Sequence, residues 1–177
     1  GEPPEAGRAK TRDRTPVERR LACADGGRSG QAPRAQIHSM HTHLTQSEEE
    51  TQAVAFELAA GLEAGDVVLL SGDLGAGKTA FVRGLAAGLG INPDDVSSPT
   101  FALVHEYRGG RITLYHADLY RLEKTGTDEL GLEEPDVAGG VLAVEWPDRL
   151  TRPIQGATTV EMEMAGETAR RILIGAT

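Results

Sequence analysis

The chain has 177 residues, a formal net charge of −9 and an apolar share of 39%. This length favours one domain with a substantial hydrophobic core. No apolar run approaches the roughly 20 residues of a membrane-spanning helix, and the N-terminus lacks the apolar core of a secretory signal. Cys23 is the only cysteine, which excludes an intrachain disulfide and fits the reducing cytoplasm, where we expect the protein to act.

Charge is distributed unevenly along the chain. Residues 1–39 contain eight Lys and Arg against five Asp and Glu, whereas the remaining residues contain ten against twenty-two. Because residues 40–177 are this acidic, they are poorly suited to binding the phosphate backbone of a nucleic acid by themselves. We therefore expect any link to nucleic acid to pass through a partner.

The first 39 residues are predicted to be disordered. They are rich in Gly, Pro, Arg and Ala and lack apolar periodicity, so they could not offset the entropy lost on folding. We interpret residues 1–39 as a basic flexible leader, or as upstream sequence that precedes a start at Met40. An RNA-contacting arm and a targeting peptide are the alternatives. Residues 40–177 are predicted to form a single domain.

The first predicted element is a helix that begins after Ser47. The stretch "SEEE" is typical of a capping box, in which Ser47 and Glu50 each satisfy a free backbone N–H. An apolar stripe at helical spacing continues through Leu62, and Gly65 is predicted to end the helix. The following run "DVVLLS", residues 66–71, predicts a strand that is buried on both faces.

A second helix is predicted after the next, glycine-rich loop, because Phe81, Leu85 and Leu89 recur on one helical face. Gly90 is predicted to end it. Five β-like runs follow: two form a hairpin around "RGG", one is buried ("VLAVEW") and two form a C-terminal hairpin, while "TDELGLEEPDV" predicts at most a short helix. The whole pattern predicts an α/β, P-loop NTPase-like fold: a mostly parallel central sheet with antiparallel additions, flanked by helices.

The loop between the first strand and the second helix reads "GDLGAGKT" and matches the phosphate-binding pattern G-x-x-x-x-G-K-[ST]. Glycines let the backbone curl so that successive N–H groups converge on phosphate oxygens, and the start of a helix adds attraction for anions. Lys78 is predicted to reach the outer phosphates and Thr79 to ligate Mg²⁺. The predicted nucleotide-binding residues here are Gly72, Gly75, Ala76, Gly77, Lys78, Thr79 and Ala80.

Two carboxylates are candidates to complete such a site. Glu145 ends the apolar strand "VLAVEW", where a second Mg²⁺ ligand is expected, although an ordinary strand-end acid is the alternative. Asp118, in "LYHADLYR", could position the attacking water or hold a metal-bound water. His116 beside it is either a general base or, more commonly, a structural group. Arg121 either steadies phosphate charge or pairs with a surface acid.

Two further residues have weaker sequence signals. Thr100 in "SSPTF" lies where GTPase switch segments carry a threonine that senses the γ-phosphate. The single tryptophan, Trp146, could stack on a ligand, but core packing is the default expectation.

Four stretches in this order and spacing, "GDLGAGKT", "VSSPTF", "LYHADLYR" and "VEWPDRL", resemble the TsaE (YjeE) family of bacterial P-loop ATPases in tRNA threonylcarbamoyladenosine biosynthesis. The resemblance covers about residues 45–155. It implies that Gly75 to Thr79 hold ATP phosphates, that Thr79 and Glu145 serve Mg²⁺, and that Asp118 is associated with hydrolysis. Thr100 falls on the family's loop threonine, and Glu48 falls where family members approach the adenine.

The resemblance also implies a partner. Family members hydrolyse ATP slowly alone, and their turnover depends on binding the TsaB–TsaD heterodimer, so that tRNA is reached only indirectly and no membrane is involved. Two alternatives of other classes remain. A small-molecule kinase would need a clamp of several arginines, whereas the arginines after residue 40 are scattered. A GTPase-like switch would carry N-K-x-D, which this sequence lacks.

Overall fold

The computed structural model describes residues 40–99, 103–123, 131–132, 137 and 139–176. The predicted leader, Thr100 and most of the polar stretch "TDELGLEEPDV" lie outside the described residues. The disordered leader and the domain boundary at residue 40 therefore stay predictions.

One seven-stranded sheet organises the described residues. Its strands are β1 (His41–Thr45), β2 (Val67–Gly72), β3 (Val104–Tyr107), β4 (Leu114–Asp118), β5 (Val141–Glu145), β6 (Thr158–Met164) and β7 (Arg170–Ala176). They lie in the spatial order β1-β7-β6-β2-β5-β4-β3. The four central strands β6, β2, β5 and β4 are parallel, and the outer strands pair antiparallel. This arrangement confirms the predicted α/β class with a parallel centre and antiparallel additions.

The parallel centre follows from the residues of its strands. The residues of β5 are all buried and almost all apolar, because a strand flanked by neighbours and covered on both faces excludes water from every side chain. Strand β2 is also buried over Val68 to Leu70. Because β2, β4 and β5 run parallel, their carboxyl ends open at one edge of the sheet, where α/β folds bind ligands.

Two helices pack together on this sheet: α1 (Glu48–Ala59) and α2 (Lys78–Gly88). Two glycines in α2 permit their close approach. A Cβ on Gly84 would lie 2.2 Å from the Gln52 carbonyl oxygen, and one on Gly88 would lie 2.6 Å from the Ala59 Cβ. Phe81, Leu85 and their neighbours on α2 are buried in the main core, together with Ala55 and Ala59 of α1. The position of α2, and thus of the loop that precedes it, is set by this packing.

The ends of the helices test the sequence predictions. Ser47 caps α1 as predicted, since its Oγ accepts from the Glu50 N–H, and the Glu50 carboxylate accepts from the Gln46 N–H. The predicted end near Gly65 was wrong, because α1 ends at Ala59. After Ala59 the backbone tightens into a turn in which the Leu62 N–H donates to the Ala59 carbonyl, and the Arg111 guanidinium donates to the carbonyls of Ala59 and Leu62.

Strand β1 was not predicted. Its sequence, HTHLT, has one large apolar residue, and that residue, Leu44, is exposed. The strand exists because it pairs with β7 along all five of its residues. Across the described residues, no helix is both long and apolar enough for a membrane span.

Candidate functional site

A cleft of about 530 Å³ opens at the carboxyl ends of β2, β4 and β5. Residues that are distant in the sequence meet there, because each of these parallel strands ends in a turn at the same edge of the sheet. The lining residues come from the glycine loop, the first half of each helix, the segment between α2 and β3, and the ends of β4 and β5 with the residues after them: Glu48, Leu74, Gly75, Gly77, Lys78, Thr79, Ala80, Arg83, Ser98, Pro99, Leu103, Asp118, Tyr120, Arg121, Glu145 and Trp146.

The glycine loop turns sharply from β2 into α2. Gly72, Gly75 and Gly77 have φ angles of 142°, 81° and 101°, a region that side chains disfavour and glycine tolerates. At Gly72 a Cβ would also lie 2.3 Å from the carbonyl oxygen of Met162 in β6. The glycines of the motif are thus required by the loop conformation as well as by the space a phosphate needs.

Lys78 is held inside this loop. Its Nζ donates to the carbonyls of Gly72 (2.7 Å) and Asp73 (2.9 Å) and lies 4.0 Å from the centre of the Trp146 ring. Only 4% of Lys78 is exposed. Burial lowers the pKa of the ammonium, and the nearby carboxylates of Glu145 and Asp118 oppose that shift. The cation is therefore partly desolvated, which strengthens its attraction for an incoming anion.

Thr79 and Glu145 meet at the floor of the cleft. The Thr79 hydroxyl donates to Glu145 Oε1 at 2.9 Å, and His116 Nε2 lies 2.9 Å from the same oxygen. Because an ionised carboxylate can only accept, Nε2 carries the proton in this contact. Glu145 is 3% exposed and His116 is fully buried, so the carboxylate is fixed in position from behind. His116 is thus a support for Glu145, in line with the structural alternative.

Asp118 has a different environment. It is half-buried, one of its oxygens accepts from the Ser98 hydroxyl at 2.7 Å, and the other accepts from the Tyr120 N–H at 3.0 Å. Ser98 belongs to the segment that precedes Thr100. A carboxylate held by one hydroxyl and one N–H retains lone pairs for a water molecule.

The opposite wall of the cleft belongs to the start of α1. Glu48 lies in the first turn of that helix and accepts from Arg83 Nη1 at 3.0 Å. Both side chains are substantially exposed, so the ion pair itself contributes little to stability. It does place one acid and one base at the outer end of the cleft.

Comparison with known proteins identifies the relatives of this chain. The profile of a family described as threonylcarbamoyl adenosine biosynthesis protein TsaE matches residues 45–172, which is well over half of the chain. The chain belongs to the TsaE family. The resemblance carried by the four sequence motifs is thereby confirmed.

Two curated bacterial relatives are named tRNA threonylcarbamoyladenosine biosynthesis protein TsaE. The protein from Bacillus subtilis strain 168 is 44% identical over 129 residues, which cover 72% of this chain and 80% of that protein. The protein from Aquifex aeolicus is 40% identical over 132 residues, which cover 74% and 92%. The crystal structure of Bacillus subtilis YdiB matches the fold with a TM-score of 0.62 at 36% identity, covering 80% of this chain and 88% of that one.

The structure brings most of the predicted site residues of this TsaE-family chain to the cleft. Those that line it are Glu48, Gly75, Gly77, Lys78, Thr79, Ala80, Asp118 and Glu145. Two others support the loop from outside the lining: Gly72 offers its carbonyl to Lys78, and Ala76 is fully buried. Thr100 lies outside the described residues. Arg121 lines the cleft.

Trp146 packs against a core cluster, as the default expectation had it, and also lines the cleft. It is the one described non-glycine residue with a positive φ (61°), and its ring packs 4.9 Å from the Tyr120 ring while contacting Lys78. The backbone turn after β5 presents the indole to the cleft. The Trp146 N–H donates to the Leu70 carbonyl across the sheet at 3.1 Å, a contact between distant residues that no local sequence pattern predicts.

Proposed function

We propose that the protein binds Mg²⁺–ATP in this cleft and hydrolyses it slowly in support of threonylcarbamoyl modification of adenosine in tRNA. The observation that carries the proposal is the convergence of Lys78, Thr79 and Glu145 at the mouth of a glycine loop. Family membership supports it, because the relatives' names place them in this biosynthesis.

The roles of the loop follow from its shape. The backbone N–H groups from Gly75 to Ala80 are proposed to surround the phosphates, as the N-terminus of α2 favours negative charge. Lys78 is proposed to exchange its two carbonyl contacts for contacts with phosphate oxygens. A hydrogen bond from the ammonium to a charged phosphate oxygen is stronger than one to a neutral carbonyl, so it offsets more of the free energy lost when the ammonium is buried. Gly72 and Ala76 shape the loop. Glu48, at the outer end of the cleft, is proposed to lie beside the adenine.

Mg²⁺ fits the donor set at the floor of the cleft. Mg²⁺ takes hard oxygen ligands and usually keeps one or two protein ligands together with phosphate and water. Thr79 and Glu145 present a hydroxyl and a carboxylate 2.9 Å apart, and in the described ranges no group of three or more His, Cys, Asp or Glu forms a separate metal cage. The ion would supply charge neutralisation at the phosphates.

Hydrolysis requires a group that orients water. Asp118 is the proposed one, because it lines the cleft and is bonded only by Ser98 and the Tyr120 N–H among the contacts described above. Thr100, two residues after Ser98, is proposed to approach the γ-phosphate once nucleotide is bound. Arg121, which lines the cleft, is the nearest candidate for an arginine that steadies the phosphate charge. We expect hydrolysis well below about 1 s⁻¹ in isolation, since a charge supplied in trans is worth orders of magnitude.

The proposed partner is the TsaB–TsaD heterodimer, with tRNA reached only through that complex in the cytoplasm. The excess of acidic residues after residue 39 supports a protein partner with basic surfaces in preference to direct tRNA binding. Size-exclusion chromatography of the three proteins with a non-hydrolysable ATP analogue should show a shared peak that is lost at high salt.

The decisive experiment is titration calorimetry with Mg²⁺–ATP. Lys78→Ala should weaken binding by at least about a hundredfold, because it removes the partly buried cation from a charge-assisted contact. Arg108→Ala, which removes a cation paired with Glu106 away from the cleft, is the matched control and should bind like the wild type. Unchanged affinity in Lys78→Ala would refute the nucleotide site. Tight ATP binding with fast hydrolysis and no complex with TsaB–TsaD would favour a small-molecule kinase.

A further inference from the structure

The described residues contain an arginine beside the glycine loop that lies outside the lining of the cleft. Arg170 is the first residue of β7, and its half-buried side chain reaches back under the loop. Nε donates to the Ala76 carbonyl at 3.1 Å and Nη2 donates to the Gly75 carbonyl at 3.2 Å. Both acceptors belong to the loop that the proposed function assigns to ATP phosphates.

The guanidinium is held rigidly in this position. Nη1 donates to the carbonyls of Ala169 (2.9 Å) and Glu167 (3.3 Å), so four of its five N–H groups are engaged. The fork is anchored to its own hairpin on one side and to the loop on the other. A planar fork with fixed donors loses little further freedom on bonding, which is the advantage of arginine over lysine in such a place.

The contacts have a direct consequence for the loop amides. In a trans peptide the C=O and the following N–H point in opposite directions. A guanidinium that holds the Ala76 carbonyl therefore directs the Gly77 N–H away from β7. The other held peptide is also ordered from within, since the Ala76 N–H donates to the Asp73 carbonyl at 3.1 Å. The bond to the Ala76 carbonyl also polarises its peptide and strengthens the Gly77 N–H as a donor, whereas the Ala76 N–H is already engaged by the Asp73 carbonyl.

Neighbouring contacts support the same conclusion. A Cβ on Gly77 would lie 3.4 Å from Met162 Cε and 3.9 Å from Arg170 Nε, so the loop rests directly on the hairpin. The Thr45 hydroxyl lies 3.5 Å from the Arg170 carbonyl and 2.9 Å from the Thr51 hydroxyl in α1. Arg170 thus stands where β1, β7, the start of α1 and the loop meet.

We propose that Arg170 is a positioning residue for phosphate binding: it holds the Gly75 and Ala76 carbonyls so that the loop presents its N–H groups to the phosphates before nucleotide arrives. The inference rests on the proposed nucleotide site. Arg170 would favour ATP binding in two ways. The loop is already ordered, so it loses less conformational entropy when nucleotide binds, and the guanidinium adds positive charge behind the phosphate site.

The test uses Arg170→Met and Arg170→Lys in the full chain, with Arg171→Met as the matched control. Arg171 is the next residue, is exposed and pairs with Glu163 on β6, away from the loop. Calorimetry at 25 °C with Mg²⁺–ATP, Mg²⁺–ADP and AMP separates phosphate-dependent losses from general ones. We expect Arg170→Met to raise the Kd of ATP and ADP by about 10–100-fold, with a smaller loss for AMP, because the affected amides face the outer phosphates.

Steady-state kinetics and thermal melting complete the test. In Arg170→Met the KM for ATP should rise while kcat changes by less than about threefold, which is the pattern of lost binding in ground state and transition state alike. Arg170→Lys keeps the charge but loses the fork, so it should fall between wild type and Arg170→Met; it also carries the test if Arg170→Met fails to fold. Arg171→Met should match the wild type.

The outcomes distinguish this inference from the proposed function. Wild-type affinity in a folded Arg170→Lys or Arg170→Met, even with a lowered melting temperature, would overturn the positioning role and leave a structural one. Equal loss for AMP, ADP and ATP would overturn it as well. Absence of ATP binding by the wild-type protein would instead overturn the proposed site itself.

Discussion

The two acids at the ends of neighbouring strands have opposite surroundings. Glu145, at the end of β5, is almost fully buried and shares one oxygen between Thr79 and His116. Asp118, at the end of β4, pairs with Glu145 in register across the sheet but is half-exposed and bonded by a loop serine and one backbone N–H. Two carboxylates that are paired in register on neighbouring strands thus differ in burial and in the groups that bond them.

The difference matches the two tasks that we propose for this sheet edge. A metal ligand benefits from being held rigidly by groups behind it, as His116 holds Glu145. A residue that orients water needs free lone pairs and access to solvent, as Asp118 has. Three mutations test this division.

The largest expected effect is on hydrolysis in Asp118→Asn. Asparagine keeps the shape but loses the charge that accepts a proton, so hydrolysis should fall by roughly 10²–10⁴-fold. Mg²⁺–ATP affinity should stay within about threefold, as measured by calorimetry. A parallel loss of metal affinity would break the comparison, because it would make Asp118 a metal ligand too.

Glu145→Gln should act on the metal. The amide keeps a hydrogen-bonding oxygen but removes the negative charge, so the Mg²⁺ concentration for half-maximal ATP binding should rise about tenfold or more. Titration of Mg²⁺ at fixed ATP measures it, and Glu106→Gln, outside the cleft, is the control. If the Mg²⁺ requirement is unchanged while hydrolysis disappears, the roles of the two acids are exchanged.

The smallest effect is expected from Ser98→Ala. The change removes one hydroxyl that occupies an Asp118 oxygen, and a single such bond to a charged group is worth about 1.5–3 kcal/mol at most. Part of that is restored by water at this half-exposed site, so hydrolysis should change by less than about tenfold while Mg²⁺ dependence is unaffected. A Ser98→Ala loss as large as that of Asp118→Asn would show that the serine, and not only the carboxylate, orients the reaction.

Local patterns predicted much of this fold and site. The cap at Ser47, the glycine loop and the buried strands β2 and β5 follow from rules that act over a few residues. The cleft brings together Lys78, Thr79, Asp118 and Glu145, as the motifs suggested, because parallel strands open their carboxyl ends at one edge. Their chemical roles stay predictions for the experiments above.

What local patterns missed depends on contacts between distant residues. Strand β1 has little apolar signal of its own and pairs along its whole length with β7. Where α1 ends, Arg111 donates to the carbonyls of Ala59 and Leu62 from a distant part of the sequence. Trp146 faces the cleft because of a backbone turn stabilised across the sheet.

The sequence by itself determined the α/β class, the glycine loop and the family, because each is encoded in short runs of residues whose spacing is read directly. Only the tertiary structure decided which acid is buried and which is exposed, and only it placed Arg170 under the loop. Ninety-four residues separate Arg170 from Ala76, and no local rule connects them. The physical reason is that β6 pairs in parallel with β2, a strand far away in the sequence. The contacts between the β6–β7 hairpin and the glycine loop therefore exist only once the sheet has assembled.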